Sequence, residues 1–172
     1  MSDLIAPMLS RTPAIVRALF EGAPAEALDF QEMEGAWSPT QVLCHLAEAE
    51  ITNWMPRIDV ILGSVEDKRF TSFDREGGFV RFAGWDVRRL LDEFERLRRE
   101  NVTRLQRLDL TDADRNRTGI HPEFGSVTLD QLLACWATHD LAHINQITRS
   151  LVRHRGPTIG PWTKYYRLLS DC

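Results

Sequence analysis

Thr138-His139-Asp140-Leu141-Ala142-His143-Ile144-Asn145-Gln146 decides how the chain is read. From Thr128 to Arg155 there is no glycine or proline, and the Leu, Ala, Ile and Gln residues around the histidines suit a helix. On a helix His139 and His143 lie one turn apart, about 40° around the axis and about 6 Å along it, so both rings can reach one ion. The pair alone also describes two surface or hydrogen-bonded histidines; a third histidine in a matching helical context is what favours a metal. Trp37-Ser38-Pro39-Thr40-Gln41 provides that context, with Ser38 as N-cap, Pro39 at the first helical position and Gln41 completing a capping box. His45 follows in the second turn. Thr128 and Gln131 repeat the same start before the pair, and His139 comes about three turns in. Three neutral imidazoles from two packed helices form an open site for a divalent ion, with positions left for water or substrate.

Working outward, residues 2–10 read as a short helical lead-in. Thr12 caps and Pro13 starts a first substantial helix, "AIVRALFEG", with Ile15, Leu19 and Phe20 as its apolar stripe. The second helix runs from about Pro39 to Leu62, and Pro56 inside it predicts a kink or break near Asn53. Gly63 to Gly84 shows no steady period. This is either a loop pinned by Phe70 and Phe73, or a wall over the metal pocket that also uses Asp74 and Arg75. Asp86 caps a third helix whose core stripe is Val87, Leu90, Leu91, Phe94, Leu97, Val102 and Leu105, its arginines and glutamates mostly forming a solvated face. "DLTDADRNRTGIHPEFGS" is a connection, with "FGSVTL" as a brief extended stretch. After the last long helix, "GPWTKYYRLL" packs Trp and Tyr on the bundle. Four principal helices with one long crossover connection make an all-α four-helix bundle, and residues 1–172 read as a single domain.

A length of 172 residues suits one domain with a sizeable core, and 43% hydrophobic with 27% charged residues places it among soluble globules. Lys+Arg 21 against Asp+Glu 25 gives a net −4 without a basic stripe, which argues against nucleic acid and anionic membrane as partners. "MSDLIAPMLS" lacks the basic end and apolar run of a signal peptide, and no run is long enough to span a membrane. Three cysteines without a framework fit a reducing cytoplasm.

Among other candidates, Glu48 lies one turn after His45 and is read as a general base, a ligand orienter, or a surface carboxylate paired with Arg57 or Arg149. Gln146, three residues after His143, is a substrate contact, as are Phe73 and Arg75 if the loop closes the pocket. Asp140 is rotated away from the histidine face and ties down a neighbouring helix. Cys135 sits one turn before His139, but about 12 Å from His143 along a straight helix, and reads mainly as a small buried side chain. Cys44, Trp54, Met55 and Trp136 read as core. His121 reads as a hydrogen-bonded structural histidine and His154 as an exposed one near a helix end.

"GAWSPTQVLCHLAEAE", "NWMPRI", "FDR" and "HPEFGSVTLDQLLACWATHDLAHINQITR" together resemble the DinB-like superfamily, which includes the YfiT-like metal-dependent hydrolases. The resemblance runs from about Arg11 to Trp162. It is most specific in the Trp-Ser-Pro helix start, the single histidine and the late His-Asp-x-x-His. It implies a four-helix bundle in which His45, His139 and His143 bind a divalent metal, and it implies a homodimer; three imidazoles suit zinc, nickel, iron and manganese, with zinc or nickel foremost. His121-Pro122 matches a family "HP" outside the metal triad. Such a site either lowers the pKa of a coordinated water or binds a thiol as thiolate. The family spans both chemistries, with bacillithiol or mycothiol S-transferases beside hydrolases. The expected function is therefore a metal-dependent enzyme on a small-molecule substrate, with transfer of a low-molecular-weight thiol ahead of hydrolysis. A non-catalytic metal- or ligand-binding bundle is the rival from another class.

Overall fold

The computed structural model describes residues 4–169. Its long helices are α1 (Ile5–Phe20), α3 (Pro39–Thr52) continued by α4 (Trp54–Leu62), α6 (Val87–Arg107) and α8 (Leu129–Arg155). Short helices α2 (Ala25–Leu28), α5 (Gly77–Arg81) and α7 (Asp112–Arg115) lie in the connections. Strands β1 (Thr118–His121) and β2 (Gly125–Thr128) form an antiparallel hairpin, and 3₁₀ turns follow α8. α1 packs on α6 and α8, and α3 packs on the same two, so α1 and α3 are diagonal partners in a four-helix ring. No helix among the described residues is long and apolar enough to cross a membrane.

The first helix departs from expectation. It does not start at Thr12-Pro13 but at Ile5, with Pro13 inside it, so the expected lead-in is helix from Ile5 on, and residues 2 and 3 lie outside the described part. An interior proline removes the hydrogen bond to the carbonyl four residues back. Here that carbonyl, Leu9 O, accepts from Arg98 Nη1 at 3.0 Å. Thr12 points inward to Asp140 at 2.6 Å instead of capping. The buried face is Leu9, Thr12, Pro13, Val16 and Phe20, a one-turn repeat; of the expected stripe, Ile15 is exposed.

The second helix breaks at Asn53, as Pro56 predicts. α4 restarts at Trp54, which places Pro56 in a first turn where its missing N–H has no intrahelical partner to lose. The stretch 63–84 is not wholly irregular. Phe70 is buried and its backbone pairs with Ile120, and α5 rests on α3 so closely that a Cβ on Gly78 would meet Cys44 O at 2.4 Å. The connection 109–126 contains α7 and β1 as well as the extended β2. Trp162, Tyr165 and Tyr166 pack less than expected, each being more than half exposed.

Two apolar clusters fill the bundle. One is built around Leu9, Trp54, Ile58, Leu133 and Trp136, the other around Val16, Leu43, Leu46, Phe94 and Ile147. Between them, at one level of all four long helices, lies a buried polar layer. Arg98, 1% exposed, donates from Nη1 to Asp140 and from Nη2 to Asp140 Oδ1 at 2.9 Å and Glu50 Oε1 at 2.8 Å. Asn101 Nδ2 and Trp136 Nε1 also donate to Glu50, and Thr12 to Asp140. Arg98 is thus an exception to the solvated face expected of its helix, while Asp140 does tie down neighbouring helices. Desolvation pushes the Glu50 carboxyl up and the Arg98 charge opposes that.

Candidate metal centre

Both helices that carry the histidines begin at formed capping boxes, Ser38 with Gln41 and Thr128 with Gln131. α3 is enclosed on all sides, every residue from Val42 to Glu50 being buried, and His45 is only 2% exposed. His139 and His143 reach the same point from α8. His45 Nε2 and His139 Nε2 are 2.9 Å apart, and His143 Nε2 is 3.2 Å from His139 Nε2.

The outer nitrogens decide what these short separations mean. His45 Nδ1–H donates to Arg75 O at 2.9 Å, and His143 Nδ1–H donates to Gln146 Oε1 at 2.9 Å. Both acceptors are oxygens, so the single proton of each neutral ring sits on Nδ1 and each Nε2 offers a lone pair. Two such lone pairs face His139 Nε2. Its one proton can serve one gap and not both, and its Nδ1 is buried with no partner. A cation at the three Nε2 atoms removes the conflict between their lone pairs and leaves the His139 proton on Nδ1. Ligands bound at ~2.0–2.1 Å stand about 2.9 Å apart at right angles and about 3.4 Å apart in a tetrahedron, a range that contains both distances. The donor set and its geometry therefore fit a divalent ion held by three imidazoles, with coordination positions left over.

Electrostatics agrees with the ligating form. Burial is the main cause that lowers all three rings: His45 is held down to about 4 and His139 to about 2, and His143 is lowered too. Neighbouring imidazoles and the Arg75 charge add to the depression of His45 and His139. Unprotonated rings at neutral pH are what a metal requires.

The cluster opens onto a cavity of about 650 Å³ lined by Trp37, Phe73, Arg75, His143, Gln146 and Arg149. The Trp37 ring lies 4.9 Å from His45 and stacks on His143 at 6.4 Å; Phe73 is 5.4 Å from His45. The 63–84 connection is thus both pinned by Phe70 and laid over the site by Phe73 and Arg75.

Glu48 is placed differently. Its side chain is buried against α5, and both carboxylate oxygens accept from Arg81, not from Arg57 or Arg149. It is not part of the three-histidine cluster. Cys135 is exposed instead of buried, and Cys44 is buried. His121 Nδ1 accepts from Glu123 N and Phe124 N, a structural role. His154 is partly buried, edge-on to Phe30 at 5.3 Å. Sequence reading missed Trp37 as a wall, for which its position before the Ser38 cap was the available signal. It also missed the Arg75 carbonyl, for which a sequence carries no signal because every residue has one.

Residues 8–147 match the DinB superfamily. Among solved structures, YfiT from Bacillus subtilis, described as "a probable metal-dependent hydrolase with an unusual four-helix bundle topology", matches with a TM-score of 0.74 at 23% identity over 90% of this chain and 87% of that one. At that identity the likeness is one of fold. No curated protein sequence matches.

Proposed function

This chain belongs to the DinB superfamily, and from that premise we propose that it is a divalent-metal-dependent enzyme acting on a small-molecule substrate, with His45, His139 and His143 as ligands. One observation carries the reading: three Nε2 atoms converge at 2.9 and 3.2 Å while two of the rings have committed their protons elsewhere. When bound, the ion supplies Lewis acidity, polarising a substrate oxygen and lowering the pKa of a water or thiol in its open positions. The chain's own residues supply the setting. The Arg75 carbonyl and the Gln146 amide hold the ligand tautomers, Trp37 and Phe73 shield the rings from bulk water, and Gln146, Phe73 and Arg75 face the substrate. Zinc or nickel suits three imidazoles.

Hydrolysis is the first reading, because YfiT, of the same fold, is described as a metal-dependent hydrolase. Thiol transfer onto an electrophile is the second, and one observation favours it. Glu48, the carboxylate nearest in sequence to the first ligand, is engaged by Arg81, so the cluster has no carboxylate base of its own among the described residues. In either case Glu48 is a positioning residue that locks α5 onto α3. Elemental analysis of gently purified protein, followed by ester and amide substrates in parallel with a thiol and an alkylating electrophile, tests the proposal. Failure to retain zinc or nickel, even after incubation with either, sinks it. The two substrate sets separate the readings: ester or amide turnover without added thiol assigns hydrolysis, and electrophile consumption only with added thiol assigns thiol transfer.

A further inference from the structure

The cavity beside the histidines carries two arginines, and their states differ. Arg149 is bound by Glu32 through Nε at 3.0 Å, and Glu32 also takes Arg153. Arg75 forms no ion pair among the described residues. Its acidic neighbours do not take it: Asp74 Oδ1 accepts the Glu76 backbone N–H at 3.0 Å and closes its own turn, and Glu76 is exposed.

Arg75 is also unusually well placed for an exposed residue. Its carbonyl is the acceptor for His45 Nδ1–H at 2.9 Å, which ties its backbone to the ligand cluster. Its guanidinium carbon lies 5.6 Å from the centre of the Trp37 ring, the ring that touches both His45 and His143. At that distance the cation is within reach of the ring's negative face, and its N–H donors have no partner among the described residues. Those donors form a fork matched to paired oxygens of a carboxylate or phosphate. The rotamer freedom that a long side chain ordinarily loses on binding is here partly lost beforehand. A cavity of about 650 Å³ is of the size that holds a small organic molecule.

We propose that Arg75 determines substrate specificity, its guanidinium on the Trp37 shelf receiving an oxyanion group, carboxylate or phosphate, of a small substrate whose reacting end lies at the three histidines. The placement of the reacting end rests on the metal-centre reading above; the anion subsite does not. The same residue holds a ligand through its main chain and the substrate through its side chain, so the distance from anion to ion is set by one residue's length.

The test uses phenylacetate, phenyl phosphate and uncharged phenylacetamide, titrated by NMR into metal-free and zinc-loaded protein. At least one anion should bind tenfold or more tightly than the amide in the metal-free protein, the scale of one charge-assisted contact. Arg75→Gln, which keeps the backbone carbonyl on His45, should abolish that preference, and Arg75→Lys should retain part of it. Equal binding of anions and amide, or an anion preference that survives Arg75→Gln, overturns the proposal; the latter places the anion elsewhere, on the ion if it appears only with zinc. Zinc and nickel content measured on protein incubated with either metal keeps the two ideas apart, because a protein that takes neither refutes the metal centre while the metal-free titration still decides Arg75.

Discussion

Replacing Arg98 by Met tests whether the polar layer holds the bundle together. Arg98 is the cation between two buried carboxylates, Asp140 and Glu50, and it also satisfies the Leu9 carbonyl freed by Pro13. Met conserves much of the volume and removes every donor. Asp140 keeps only Thr12, and Glu50 keeps only Asn101 and Trp136. Breaking a buried pair by removing one partner costs about 3–5 kcal/mol, a large part of the roughly 5–15 kcal/mol that holds an ordinary domain together. At roughly 2–4 °C per kcal/mol for a domain of this size, the midpoint should fall by roughly 6–20 °C. Urea unfolding of metal-free protein measures the difference at equilibrium, with an unchanged denaturant slope as the sign that the fold persists.

The sign with pH is a second check. Without Arg98 the Glu50 carboxyl, pushed up by burial, loses the charge that opposes the rise and moves further above its unfolded value of about 4.3. Such a group binds its proton more readily in the folded state, so the variant loses stability as pH rises through its folded value. The gap between wild type and variant should widen from pH ~5 to ~8, and adding Glu50→Gln and Asp140→Asn should close at least half of it at pH ~8. A gap below about 1 kcal/mol, or one independent of pH, would refute the reasoning.

Other outcomes follow from the same geometry. His143→Ala should drop zinc or nickel content well below one ion per chain in gently purified protein and reduce turnover with it; elemental analysis showing full occupancy would remove His143 from the ligand set. Metal-free protein should lose stability as pH falls from about 6.5, the unfolded histidine value, towards the folded value of about 4 for His45, because the unfolded chain binds the proton that the fold refuses. The His45 contribution alone is about 3 kcal/mol, and a flat urea midpoint across that window would contradict it. Apart from the geometry, the superfamily resemblance implies a homodimer, so light scattering at micromolar concentration should give a two-chain mass, with a single-chain mass as the contrary result.

Local chemistry wrote much of this molecule into its sequence. Capping boxes act over three residues, so the starts of α3 and α8 were legible at Ser38 and Thr128. Helical spacing acts over four, so the His139–His143 pair and the break ahead of Pro56 were legible as well. The three-histidine set could be named, with the family resemblance, because each histidine stood at a readable place on a capped helix. What could not be read depends on groups that meet only after the helices pack. Pro13 looked like a helix start because a proline inside a helix orphans a carbonyl; only the arrival of Arg98 from α6 makes Leu9 O satisfied there. Arg98 itself sits among arginines of the same helix that face water, and its burial depends on Glu50 and Asp140 coming from two other helices. Glu48 has a helical spacing that faces it near His45, yet α5 brings Arg81 to claim it. The acceptor that sets the His45 tautomer is a main-chain carbonyl from a loop, a group common to all residues, and only the path of the chain from Phe70 to α5 puts that of Arg75 in place.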